Sequence, residues 1–272
     1  ALSATVRAFS LDPHDNSLLD ETERLAGAAQ TWEALRGVVE RAASNEDLDR
    51  IHRRDLLLRG ARWYRDRMED PASAETCLRG ALDADAESVD GHTQLVDLLR
   101  APGREAELAA ALVAWADVEY DDYTKKDRLR EAARLFESAL GDTVKAAAAL
   151  ESILGVDPGD PGALDELIRI RAAEEKWEPV VELLERRIVA EAEPERRVAY
   201  RRELASVLGD RLGERVRAID AWVAVLDETP TDLDVISRLE SLYETAERWS
   251  DLEELIQRRL DIAESSADRI AA

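Results

Sequence analysis

The sequence repeats itself with a period of about 72 residues, and that self-similarity limits the folds open to it more than any other feature. Ala218, Leu226, Pro230, Leu239 and Trp249 fall on Ala146, Leu154, Pro158, Leu167 and Trp177, and a second step reaches Ala74, Leu82, Ala86, Leu95 and Glu105. One further step from Glu105, a single residue longer than the others, reaches Trp32. A fixed period of this kind is the mark of a stacked repeat array. Each unit has an apolar face that it cannot bury alone, so neighbours must stack. A chain of 272 residues exceeds what one compact core usually holds, and the period accounts for the excess.

Within the period the punctuation is helical. Asp12-Pro13, Asp157-Pro158 and Thr229-Pro230 read as helix stops, since a proline disfavours helix in the residue before it. Asp70-Pro71 reads as a start, with Asp as cap and Pro at the first helical position. The spacing predicts helices over 3–11, 16–29, 32–43, 49–68, 70–83, 88–100, 104–118, 125–140, 143–154, 160–173, 177–190, 195–212, 214–227, 231–246 and 249–264. Thr231 with Asp234 resembles a capping box. Each helix carries one apolar stripe, such as Val216, Ile219, Trp222, Val223 and Leu226, or Leu233, Ile236, Leu239, Leu242 and Tyr243. Small residues recur where helices should approach closely: Ala74, Ala146 and Ala218, then Gly60-Ala61, Ala132-Ala133 and Ala205. The first helix lacks a preceding partner, and the tail ADRIAA resembles the openings KDRLREAA and PERRVAYR. The expectation is an array that opens and closes mid-repeat, a fragment of a longer one.

Composition agrees. Hydrophobic residues are 45% and charged residues 36%, with only 12 Gly and 8 Pro, a balance for exposed helix surface rather than strands and turns. The formal net charge of −23 opposes nucleic-acid phosphate and anionic lipid, so neither is an expected partner. Cys77, the single cysteine, allows no intrachain disulfide and no thiolate metal cage, and its place in a periodic helix reads as core. No run approaches a membrane span, and the opening ALSATVRAFSLDP lacks the regions of a signal peptide. The expected location is cytoplasmic, or periplasmic or secreted if a signal peptide was removed. Lysine occurs only at 125, 126, 145 and 176, an Arg-over-Lys balance that suggests a GC-rich, bacterial source.

Half the period, about 36 residues, resembles the tetratricopeptide repeat, a helix–turn–helix unit of about 34 residues. Leu204-Ala205-Leu208, then Ala218-Ile219, Trp222, Leu226 and Pro230 follow that family's order well. Ala132-Ala133-Phe136 with Ala146, Leu150, Leu154 and Pro158 follows it less fully. Gly60-Ala61-Tyr64 with Ala74, Leu78 and Leu82 lacks the proline, and 167–188 departs further, with Trp177 at the turn and Val180 where Ala is expected. The resemblance implies an all-α fold of about 15 helices. The helices would form antiparallel pairs in a right-handed α-α superhelix, a single solenoid array over 1–272. It also implies a concave groove that binds a peptide or protein segment, and no chemistry.

The residues themselves add little chemistry. His14, His52 and His92 pair neither with one another nor with Cys77 at sequence-local ligand spacing, and read as loop or helix-surface residues. Asp83, Asp85 and Glu87 lack the central Gly of a calcium loop, and Gln94 stands where the bidentate Glu belongs. No phosphate loop, nucleophile elbow or zinc-protease motif occurs. The expectation is therefore no enzyme, no catalytic residue, no metal and no cofactor. Trp32, Trp177 and Trp249 recur at turn-to-helix junctions and read as inter-helix packing; Trp63 is ambiguous between Arg62 and Arg65.

The sharpest partner-binding candidates are Arg62, Arg65, Arg130, Arg134, Arg169 and Arg202, which the resemblance places on the concave first helices. Aligned, they would grip carboxylates of an acidic peptide; the competing reading pairs them with acids on neighbouring helix faces. Two functions follow: a non-catalytic scaffold for a protein or peptide partner, or a structural array stacking on other copies or on the rest of a longer array as a rod, ring or filament.

Overall fold

The computed structural model describes residues 1–45 and 48–271, with residues 42–43 and 264–271 described by backbone alone. The described elements are helices, with no strand among them, in two compact units, Ala1–Ala146 and Ala147–Ala272. The first unit contains α1 (Leu2–Leu11), α2 (Asn16–Ala29), a 3-10 turn at Trp32–Leu35 leading into α3 (Arg36–Ala43), α4 (Arg50–Arg67), α5 (Pro71–Ala84), α6 (Val89–Leu99), α7 (Glu105–Val118) and α8 (Asp122–Arg134). Helix α9 (Thr143–Val156) contains the division between units. The second unit continues with α10 (Pro161–Ala173), α11 (Trp177–Ala190), α12 (Pro194–Ser206), α13 (Arg215–Glu228), α14 (Leu233–Thr245) and α15 (Trp249–Ala271).

Six of the starts are set by carboxylates. Asp15, Asp49, Asp70, Asp121, Asp160 and Asp232 each accept from amides of the first turn they precede. The cap of α14 is thus Asp232, not Thr231: its side chain takes the amides of Asp234 and Val235, and Thr231 lies one residue too early to reach them.

The first helix of each hairpin is followed by a left-handed residue, and its closing bonds take one of two forms where they are made. Gln30, Glu69, Glu175 and Glu247 have φ of 52° to 56°, and Gly103, Gly141 and Gly213 have φ of 65° to 85°. After the first interval these positions alternate between a shorter and a longer spacing, which together make one period. Helices α4, α8 and α12 end wide. Met68, Leu140 and Leu212 donate to the carbonyl five residues back, and Asp70, Asp142 and Glu214 to the carbonyl six back. In α8 and α12 this widening forms a π turn, at Leu135–Ala139 and Val207–Arg211. At the ends of α2, α10 and α14 the closing bond runs only five back, from Thr31, Lys176 and Arg248.

The stripes bury as pairs. Leu56, Leu57, Trp63 and Tyr64 of α4 face Ala74, Leu78 and Ala81 of α5 in the first unit; Ile219, Trp222 and Val225 pack with Val235, Ile236 and Leu239 in the second. The small residues sit where helices approach: Ala74, Ala132, Ala133, Ala146, Ala205 and Ala218 are all buried. A Cβ on Gly60 would stand 2.8 Å from a Val39 methyl. Trp63 and Cys77 are core.

Four expectations are corrected. Val216 and Leu233 are exposed because each lies in its helix's first turn, before the stripe meets a neighbour, and Val225 takes the buried place instead. His92 is buried, 5% exposed, with its Nε2 bonded to the Ala86 carbonyl and its ring stacked on Trp115. Trp249 is 60% exposed. Its counterparts Trp32 and Trp177 lie under Arg67 and Arg211, from the end of the next first helix, and no described helix follows α15. Helix α15 also runs unbroken to Ala271, where the sequence suggested a stop at 264 and a new helix. The tail's side chains lie outside the described residues.

Candidate functional site

The candidate residues lie on the first helices of the hairpins, and each unit has its own such face: α2, α4, α6 and α8 in one, α10, α12 and α14 in the other. The exposed positions of each face hold arginine and carboxylate from successive first helices, close enough to pair. In the first unit Arg59 of α4 meets Asp20 of α2 at 2.6 Å, Arg62 meets Asp90 of α6 at 3.0 Å, and Arg100, the residue after α6, meets Glu131 of α8 at 2.6 Å. In the second, Arg202 of α12 bonds the cap Asp232 of α14, and Arg238 of α14 approaches Asp210 at 3.6 Å. Arg65 turns to its neighbour Asp66 at 2.7 Å. Arg62, Arg65, Arg134 and Arg169 are exposed, whereas Arg130 and Arg202 are half-buried. Arg62, Arg65 and Arg202 therefore already hold carboxylates.

These pairs reach the carboxyl chemistry. The Arg65 fork holds Asp66 below the usual carboxylate range, and Arg54 does the same to Asp85. At Asp70 the Ser73 amide is the largest cause of the lowering and Arg36 a smaller one.

Two features escape a sequence reading. Tyr120 and Tyr123 are exposed large aromatics flanking the Asp121 cap of α8, with the Tyr120 hydroxyl donating to Glu87 at 3.0 Å. The acidic run EYDDY hides them as solvated turn. The second is a meeting of His14, from the turn after α1, with Asp49 and His52 at the start of α4. Nδ1 of His52 lies 2.5 Å from Asp49 Oδ2, Nδ1 of His14 lies 3.5 Å from the same oxygen, and the two rings sit edge to face at 4.9 Å. Helices α2 and α3 intervene in the sequence, so no local spacing shows the cluster.

In the core of each unit a guanidinium lies on a ring, with the partners exchanged. Arg128 lies 3.6 Å from the Trp115 ring centre, and one period later Arg187 lies 4.5 Å from that of Tyr200. Arg187 is 4% exposed and held by Asp165 and Glu191, both at 2.8 Å. A cleft of about 590 Å³ between α3, α4 and α5 is lined by Leu57, Tyr64, Cys77, Arg50 and Glu40. Burial first, then the charges of Glu40 and Asp70, push the Cys77 thiol up to about 11, which leaves it an unreactive thiol at neutral pH. No described helix is long and apolar enough to cross a membrane.

No family model and no curated protein matches this sequence. Solved structures do. The chain is similar to the nearly identical TPR-like repeats of a kinesin light chain from Podosopora anserina, at 18% identity over 66% of this chain and 97% of that one, TM-score 0.38. It is similar to the C-terminal part of a TPR repeat-containing protein from Cytophaga hutchinsonii, at 14% identity over 87% and 92%, TM-score 0.36. It is also similar to a chain of Naa15/Naa10 bound to HypK-THB, at 17% identity over 89% and 36%, TM-score 0.42. The recurring hairpin, with its buried small residues at the helix approaches, is tetratricopeptide-like in fold.

Proposed function

We propose that this chain is a non-catalytic scaffold, one repeat array over 1–272, whose first-helix surface binds a segment of a partner protein. One observation carries the reading: the exposed ion pairs that link successive first helices. Arg62 and Asp90 are each about half exposed, at 51% and 54%, and so are Arg238 and Asp210, both at 55%. Pairs so wet contribute about 0–1 kcal/mol to stability. An incoming carboxylate can therefore take an arginine fork from its present partner at small cost, and a partner lysine can take the released acid. Arg62, Arg65, Arg130, Arg134, Arg169 and Arg202 are the positions expected to contact it. With −23 net charge, a partner carrying basic as well as acidic groups is steered in, and nucleic acid is repelled.

The test begins with a photo-cross-linking side chain at Arg65 or, for contrast, at Arg217 on a second helix, to identify the partner. The double substitution Arg130→Glu, Arg134→Glu should then weaken its binding by tenfold or more. An unchanged affinity would sink the groove reading.

A specific observation also favours the structural alternative. Trp249, Ile256 and Leu260 are exposed at helical spacing along α15, an apolar stripe with room for another helix. On that reading the arrays stack, and molar mass by light scattering should rise with concentration and fall back in Trp249→Ala, Leu260→Asp. A monomer at every concentration excludes it.

A further inference from the structure

We propose that His14, Asp49 and His52 form a surface binding site for one divalent transition-metal ion of the zinc class. Two imidazoles and one carboxylate are a donor set for such an ion, and the set selects against magnesium and calcium, which prefer oxygen alone. One donor atom from each residue lies within 4.8 Å of the other two. Zinc bonds of about 2.0–2.2 Å place tetrahedral donors about 3.4 Å apart. The His14–Asp49 separation of 3.5 Å already matches, and rotation of the exposed side chains opens the 2.5 Å His52–Asp49 contact and brings the two histidine nitrogens to the same spacing.

The carboxylate is pre-aimed. Asp49 Oδ1 is occupied as the helix cap, accepting the amides of Ile51 at 3.0 Å and His52 at 3.1 Å, which leaves Oδ2 directed at both rings. Hydrogen bonds of this kind fix a ligating carboxylate and are part of what makes a metal site rather than a chance cluster. His14 sits in a turn closed by its own amide on Asp12, at 3.3 Å. An ion here replaces the His52–Asp49 hydrogen bond, with the His52 imidazole carrying its proton on Nε2. The side chains are 37–50% exposed, so the remaining coordination position faces water. Binding clamps the turn after α1 to the first turn of α4, and the acidic surface draws the cation in.

The probe is zinc chloride, titrated calorimetrically into the full chain at pH 7.5 with magnesium in large excess. The expected result is one ion per chain, bound about tenfold or more weakly by His14→Ala and by His52→Ala. Asp49→Asn should keep the helix, since Asn also caps, yet bind more weakly. Zinc should raise the melting temperature of the native chain and not of His14→Ala, while Cys77→Ser binds as the native chain does. Loss of binding in magnesium, native affinity in both histidine variants, or loss in Cys77→Ser would each overturn the proposal.

Discussion

At the scale of single residues, the left-handed helix ends show what the sequence conceals. Glycine marks only 103, 141 and 213; Gln30, Glu69, Glu175 and Glu247 hold the same backbone with a Cβ attached. A non-glycine residue there is strained by about 1 kcal/mol. Glu69→Gly, which copies the residue one and two periods later, should raise stability by about that amount in urea unfolding. Gly141→Ala should lower it by as much, through φ alone, since nothing lies within 4 Å of the added Cβ. His92 has a different signature. Burial first, and Arg128 in support, lower its pKa from 6.5 despite the Ala86 bond. The folded chain therefore resists a proton that the unfolded chain accepts, so stability falls as pH drops below about 6.5. His92→Leu, matching Leu164 and Ile236 at the same place in later copies, should flatten that slope below pH 6.5.

At the scale of helices, packing rests on a few close approaches. Gly60→Ala brings a carbon within 3 Å of both Val39 methyls and should cost about 1–2 kcal/mol, part of it recovered when Val39→Ala is added. The Arg128–Trp115 stack, largely shielded from water, should show a coupling of about 1–2 kcal/mol in a double-alanine cycle. Helix existence, order and most bounds were legible, because aspartate caps and prolines stand in the sequence at many of the junctions. The wide endings of α4, α8 and α12 were not, since a shift from four-back to five-back bonding changes no residue type. The arginines of the first helices were legible as cations at polar positions, exposed at Arg62 and half-buried at Arg202. Their partners were not: Asp90 and Asp232 lie most of a hairpin further along the chain and become neighbours only when hairpins stack. The same gap hid His14 from His52. Arg187 shows the converse, a charged residue that pattern reading puts outside and that Asp165 and Glu191 hold within.

At the scale of the molecule, two consequences are measurable. Helix-capping and arginine-held carboxylates, Asp70, Asp85 and Asp142 among them, have pKa values below their unfolded ones. Their contribution is complete above about pH 4 and vanishes as pH falls through the folded values, so acid should unfold the chain steeply below pH 4, as circular dichroism can follow. An array held together by neighbour contacts also has no single core to melt. A chain retaining only Trp63 and one retaining only Trp222, both buried, should report different urea midpoints.

From α8 to α14 the two kinds of first-helix ending alternate, and that sets a grammar for how such a chain can change over generations. The two differ in spacing, since the left-handed residue of a wide ending lies further along the chain from the one before it than that of a narrow ending does. Excising one hairpin would bring two endings of one kind into succession and mis-set every helix beyond the scar. Excising two restores the reading frame of the architecture. The heritable unit is thus the four-helix block, and lineages of this chain should differ in length by whole periods and not by halves.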